Sequence, residues 1–156
     1  MIPKIIHYIW VGGKEKPVDI KRCMATWKKH LEGYKVIEWN ESNFDIEQHP
    51  FVKAAYEAKK WAYVSDYIRA YAIYNYGGIY LDTDILLLDN FDDFLNHRAF
   101  VGFENPNYPF TAAFGAEKGH PLVKDMLDYY DELDTYHFDF KNNNTISVSD
   151  ILINKY

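Results

Sequence analysis

Gly77-Gly78-Ile79-Tyr80-Leu81-Asp82-Thr83-Asp84 is the stretch on which the fold turns. The paired glycines stop whatever precedes them, and Ile79-Tyr80-Leu81 has the β-branched and aromatic composition of a short strand. Asp82 and Asp84 follow where that strand emerges, separated by one residue. Ligands of open α/β sheets gather outside the carboxyl ends of the strands. Two carboxylates there form a hard oxygen cluster suited to Mg²⁺ or Mn²⁺ carrying a phosphate.

Working upstream, Trp61 to Tyr76 reads as a helix ended by Gly77-Gly78 in the usual glycine stop position. Asp66 and Arg69 sit three apart and share one face of it. As an exposed intrahelical ion pair they would contribute only a few tenths of a kcal/mol. Their helix, however, ends a few residues from the paired aspartates. Phe51 to Lys60 reads as a shorter helix after Pro50, and Tyr34 to Trp39 as a strand. Ile20 to Leu31 is helical, with Met24, Trp27 and Leu31 on one apolar face and Lys21, Arg22, Lys28 and Lys29 on a solvated one. Lys4 to Val11 is a nearly all-apolar first strand, covered on both faces and ended by Gly12-Gly13. His7 reads as an ordinary strand histidine. Trp10, at the carboxyl end of that strand, either stacks on a flat base or packs at the sheet edge.

Downstream, the apolar run Ile85 to Leu88 leads into a turn marked by Asp89, Asn90, Asp92 and Asp93. Ala99 to Phe103 and Thr111 to Ala116 read as strands, with Glu104 to Asn107 as a loop between them. Pro121 opens a helix at the tolerated first position, with Leu122, Met126, Tyr129 and Leu133 on its apolar face. Asp134 to Asn144 is polar and irregular, and Ser149 is placed to cap a last helix from Asp150. Strands alternating with helices predict an α/β fold: a mostly parallel central sheet flanked by helices, Rossmann-like, in one domain over residues 1–156.

Composition narrows the partners. The chain has 156 residues, 48% hydrophobic and 26% charged, within the globular range. Its 14 tyrosines suit a cleft that stacks on rings as well as a packed core. A net charge of −6, with no Lys/Arg run, excludes nucleic acid as the expected partner. Cys23 is the single cysteine, so no internal disulfide forms; it reads as a small buried hydrophobe on its helix. No signal peptide and no transmembrane segment is apparent, and the expected location is cytoplasmic.

Three segments together resemble a known family: Ile2-Pro3-Lys4-Ile5-Ile6-His7-Tyr8-Ile9-Trp10, Ser65-Asp66-Tyr67-Ile68-Arg69, and Tyr76-Gly77-Gly78-Ile79-Tyr80-Leu81-Asp82-Thr83-Asp84. Gly115-Ala116-Glu117-Lys118-Gly119-His120-Pro121 adds to the likeness. The chain resembles the retaining glycosyltransferases with a DXD motif, the capsular polysaccharide and outer-chain mannosyltransferase-like enzymes of the GT-A fold. The resemblance implies a hexosyltransferase of polysaccharide biosynthesis that takes a nucleotide-sugar, most often a UDP-sugar, and a saccharide acceptor, with Mn²⁺ or Mg²⁺ on the diphosphate. It is compatible with peripheral membrane association and with a homo-oligomer. It implies that Trp10 stacks on the base, that Asp66 and Arg69 hold sugar hydroxyls, and that Tyr80 touches the donor. Asp82 would contact ribose or sugar and share the metal, with Asp84 the more direct ligand. It also implies a further C-terminal segment that closes the donor site. Thr111-Ala112-Ala113 stands where relatives tend to carry an Asn toward the acceptor.

Two other readings compete. An aspartyl-nucleophile phosphatase also places Asp-x-Asp after an apolar strand, but Ile85-Leu86 follow here in place of a small-residue turn, and no later Gly-Asp pair holds the Mg²⁺. A non-catalytic or incomplete nucleotide-sugar or carbohydrate-binding domain is the second. Turnover of the donor separates it from the enzyme.

Overall fold

A computed structural model describes residues 1–135 and 144–156. The segment 134–144, read as irregular, lies mostly outside the described residues. In chain order the elements are β1 (Ile5–Ile9), α1 (Val18–His30), β2 (Lys35–Trp39), α2 (Pro50–Glu57), α3 (Trp61–Tyr76) and β3 (Gly78–Leu81). Then follow β4 (Ala99–Asn105), β5 (Tyr108–Ala116), α4 (Pro121–Glu132) and α5 (Asn144–Lys155). The strands form one five-stranded sheet in the order β2-β1-β3-β5-β4.

The expected parallel sheet is its first half. β1 lies between β2 and β3 and is parallel to both, with Ile6 beside Ile79 and His7 beside Tyr80. The second half is antiparallel: β5 pairs with β3, and β4 with β5. Of Glu104 to Asn107, read as a loop, Glu104 and Asn105 are strand and only Pro106 and Asn107 form the turn, because β4 runs on to Asn105 before β5 starts at Tyr108.

Strand parity sorts the side chains into two cores. Ile6, Ile79 and Leu81 face α1, where they meet Trp27, Leu31 and Leu87. Ile9, Tyr80 and Phe114 face the other way, onto α2, α3 and α4, with Phe51, Val64, Ile68, Ile73, Met126 and Tyr130. The period of two carries one residue further along β3. Asp82 therefore leaves the sheet on the side of Tyr80, toward α3. Of the run after Asp84, Leu87 is buried while Leu86 and Leu88 are exposed.

Gly77 and Gly78 are required sterically. Both have positive φ (69° and 115°), and a Cβ would lie 2.8 Å from the Lys118 amide nitrogen at Gly77 and 2.5 Å from the Ile5 carbonyl oxygen at Gly78. They let α3 end and β3 begin with only Gly77 between them.

Two expectations change. Ser149 does not cap a helix: it is buried inside α5, which begins at Asn144. Packing of Val148, Ile151 and Leu152 against the core outweighs serine's preference for a cap. Cys23 is on α1 as expected but half-buried rather than buried.

His7 is fully buried, and its tautomer follows from its neighbours. Trp39 Nε1, which can only donate, lies 3.0 Å from His7 Nδ1. Nδ1 is therefore the acceptor, and Nε2–H donates to the Gly77 carbonyl at 2.9 Å. Burial holds the imidazole pKa below its ordinary 6.5, helped by Lys35 and opposed by the Gly77 bond. An NMR titration is expected to show this ring still neutral at pH 6.5. A lowered folded-state pKa means stability present above 6.5 and lost as pH falls through the folded midpoint. A midpoint at or above 6.5 would contradict the Trp39–His7–Gly77 arrangement.

Candidate active site

The carboxyl ends of β1 and β3 open onto a cleft of about 400 Å³. Trp10, Lys14, Trp61, Tyr80, Asp82 and Asp84 are among the residues that line it. A parallel sheet is expected to bring Trp10 and the paired aspartates, which end two different strands, to one carboxyl edge, and the parallel β1–β3 pairing does so.

Arg69 organises what lies behind the aspartates. It sits midway along α3, 6% exposed, and its guanidinium stacks over the Tyr80 ring at 4.3 Å. Nε donates to the Ser65 carbonyl at 3.2 Å, and Nη2 to Ser65 Oγ at 2.9 Å. Nη1 reaches Thr111 on β5, 3.1 Å to the carbonyl and 3.2 Å to Oγ1. Nη2 also lies 3.2 Å from Asp66 Oδ1 and 3.2 Å from Asp82 Oδ1. The Asp66–Arg69 pair is thus buried and networked, not the exposed pair that spacing alone suggests. It lies one layer below the cleft, behind Asp82. Asp82 Oδ1 also accepts the Tyr80 hydroxyl at 2.6 Å, so its carboxylate is held from two sides.

The electrostatics follow from that burial. Burial pushes the Asp66 carboxyl up to about 6, against the pull of Arg69 and with the Asp82 charge adding to the rise. Burial likewise raises the Tyr80 hydroxyl, despite Arg69, and keeps it a neutral donor to Asp82. Burial works against the charge on Arg69, but the surrounding acidic groups outweigh it and the guanidinium stays protonated. Asp84, by contrast, is exposed at the rim.

Two features of the site carried no sequence signal for the part they play here. Thr111 holds Arg69 across the sheet, a contact made by the antiparallel β3–β5 pairing. Trp61 lines the cleft beside Trp10 and packs so closely on Gly12 that a Cβ there would lie 2.9 Å from Cε2.

The profile of the glycosyltransferase sugar-binding region containing DXD motif matches residues 17–101. The chain belongs to this family. Its DXD motif is Asp82-Thr83-Asp84, at the mouth of the cleft. Among curated relatives of this DXD family member, inositol phosphoceramide mannosyltransferase 3 of Schizosaccharomyces pombe is 27% identical over 139 residues, 81% of this chain and 36% of its own length. An uncharacterized glycosyltransferase of Acanthamoeba polyphaga mimivirus is 29% identical over 135 residues, 78% of this chain and 53% of its own. The chain therefore spans between about a third and about half of the length of these relatives. Among solved structures, the PaToxG glycosyltransferase matches with a TM-score of 0.66 at 19% identity, covering 95% of this chain and 64% of its own, which shows the shared fold. No helix among the described residues is long and apolar enough to cross a membrane.

Proposed function

We propose that this domain binds a nucleotide-sugar in the Trp10–Asp84 cleft and transfers its hexose to a saccharide acceptor with retention, using Mn²⁺ or Mg²⁺. The observation that carries the reading is the Asp82 carboxylate, fixed by Tyr80 and Arg69 at the cleft mouth beside Asp84 and Trp10. A UDP-sugar is the first candidate donor. The S. pombe relative is a mannosyltransferase by name, which adds a mannosyl donor to those worth testing.

The donor set fits a divalent cation carried by substrate. Among the described residues no group of three or more His, Cys, Asp or Glu side chains is gathered as a metal cluster. One or two carboxylates completed by phosphate oxygens and water is the usual way Mg²⁺ is held in such sites. Asp84 and the free side of the Asp82 carboxylate would hold it, and the bound cation would offset charge developing on the leaving diphosphate.

The remaining steps belong to the chain's own residues. Trp10 stacks on the base. Its indole is already oriented, because Nε1 donates to the Lys14 carbonyl at 2.6 Å. Asp66 and Arg69 lie beneath the cleft, and Arg69 holds Asp82 where the sugar or ribose hydroxyls arrive. The carboxylates lining the cleft already have assignments: Glu15 is paired with Lys21 at 2.5 Å, and Asp82 with Arg69 at 3.2 Å. That favours a front-face displacement in which the acceptor oxygen bonds to the anomeric carbon as the diphosphate leaves. The acceptor proton passes to the departing phosphate oxygen.

Thermal-shift and turnover measurements with UDP- and GDP-sugars, with and without Mn²⁺, test the reading. Metal-dependent stabilisation and release of the nucleoside diphosphate are expected, and Trp10→Ala should weaken binding of the nucleotide alone. Metal-dependent binding without any turnover would favour the non-catalytic alternative. No shift with any donor would overturn both.

A further inference from the structure

We propose that Lys14 is the protein's own cation for the donor diphosphate, a role that rests on the nucleotide-sugar reading and extends it to a specific anion contact. The charged residues lining the cleft are Lys14, Glu15, Asp82 and Asp84. Glu15 is neutralised by Lys21, and Asp82 by Arg69. The neighbouring Lys16 is taken up by Glu38 at 2.7 Å. Among the described residues no carboxylate pairs with the Lys14 ammonium.

Arg69 cannot serve the same purpose from where it stands. Its nitrogens are engaged by Ser65, Thr111, Asp66 and Asp82 beneath the cleft. An incoming diphosphate therefore meets two acidic groups at the mouth, Asp82 and Asp84, and one lining residue, Lys14, whose exposed cationic side chain is uncommitted. A divalent ion held by the aspartates would offset their charge, and the ammonium would offset part of what the diphosphate adds. An ammonium on a flexible stem suits phosphate as a point charge that adjusts to its partner.

The backbone under Lys14 is fixed although its side chain is exposed. Gly12 and Gly13 both take positive φ, 90° and 73°, and turn the chain sharply after β1. The Gly12 N–H donates to Glu41 Oε1 at 2.6 Å, and the Tyr56 hydroxyl donates to the same oxygen at 3.1 Å. The Lys14 carbonyl accepts from Trp10 Nε1. One residue thus anchors the base-stacking indole through its main chain and presents a cation through its side chain. This separates the two roles experimentally, because Lys14→Gln removes the charge and keeps the carbonyl.

Binding is measured in Mn²⁺ with UDP, GDP, inorganic pyrophosphate, uridine and guanosine, for the unmodified chain, Lys14→Gln and Lys14→Arg. Lys14→Gln is expected to lose about five- to tenfold in affinity for the nucleoside diphosphates and pyrophosphate, the weight of one partly solvated charge-assisted contact. Nucleoside affinity stays unchanged, and the deficit shrinks in high salt as screening removes the contact from the unmodified chain too. Lys14→Arg restores most of the affinity. Equal losses for nucleoside and diphosphate, or no loss at all, would overturn the assignment while leaving the nucleotide-sugar reading standing. An unmodified chain that binds none of the diphosphates would sink both.

Discussion

Asp84→Asn is expected to abolish Mn²⁺-dependent binding of the nucleoside diphosphate and leave the melting temperature almost unchanged. Asp84 is exposed at the rim of the cleft, and its side chain is not drawn into the network of Arg69, Tyr80 and Asp82. An exposed carboxylate replaced by its near-isosteric amide changes stability by about 0.5 kcal/mol or less. The amide keeps the shape but loses the full negative charge that a hard divalent cation requires. If the proposed cation site holds, loss of one of its two carboxylates would remove several kcal/mol of charge stabilisation, so catalytic turnover should fall by about 100-fold or more. Calorimetry with UDP and GDP reads the binding loss, and nucleotide affinity without metal serves as the control. Metal-dependent affinity within about twofold of the unmodified chain would remove Asp84 from the cation site, since a lost ligand weakens binding far more than that.

The core of this site was legible because it is built on local patterns. The Gly77-Gly78 stop fixed the end of α3 and the start of β3, and the observed helix has the bounds Trp61–Tyr76 that its pattern predicts. The three-residue spacing of Asp66 and Arg69 put both on one face. What spacing could not say was which way that face points. The sheet decides it, by placing Tyr80 and Asp82 on the side where α3 packs. Thr111 was noted only as a departure from the family's pattern. Its work as an Arg69 anchor depends on β5 returning antiparallel beside β3, a pairing between residues more than thirty positions apart. The same long-range pairing turned the second half of the sheet antiparallel, where alternation of strands and helices suggested a mostly parallel sheet. At the C-terminus, Ser149 carried a capping preference that the burial of Val148 overrode. Each of these is tertiary packing prevailing over a local preference.

Arg69→Met is expected to produce the largest loss of stability of any single change at the site, about 3–5 kcal/mol, because it breaks a buried charge network from its centre. Methionine fills much of the space but leaves Asp66, 8% exposed, without its Arg69 counter-ion, and removes the side-chain donor that ties Ser65 to Thr111. For a domain of this size such a loss lowers the melting temperature by roughly 6–20 °C. Arg69→Lys should fall between, since an ammonium keeps the charge but cannot span Ser65 and Thr111 while touching both aspartates. The deficit of Arg69→Met should also depend on pH with a definite sign. The Asp66 carboxyl is already raised from 3.8 to about 6 with Arg69 present, and removal of the guanidinium raises it further. A raised folded-state pKa for an acid means that the folded chain takes up a proton first, so stability is recovered as pH falls from above the folded value toward 3.8. Asp66→Asn in the Arg69→Met background should flatten that recovery, and the double-mutant cycle isolates the pair. Urea unfolding of the four proteins between pH 5 and pH 8 reads all of this. A loss below about 1 kcal/mol for Arg69→Met, without pH dependence, would mean that water reaches the cluster and that Arg69 does not fix Asp82 at the cleft mouth.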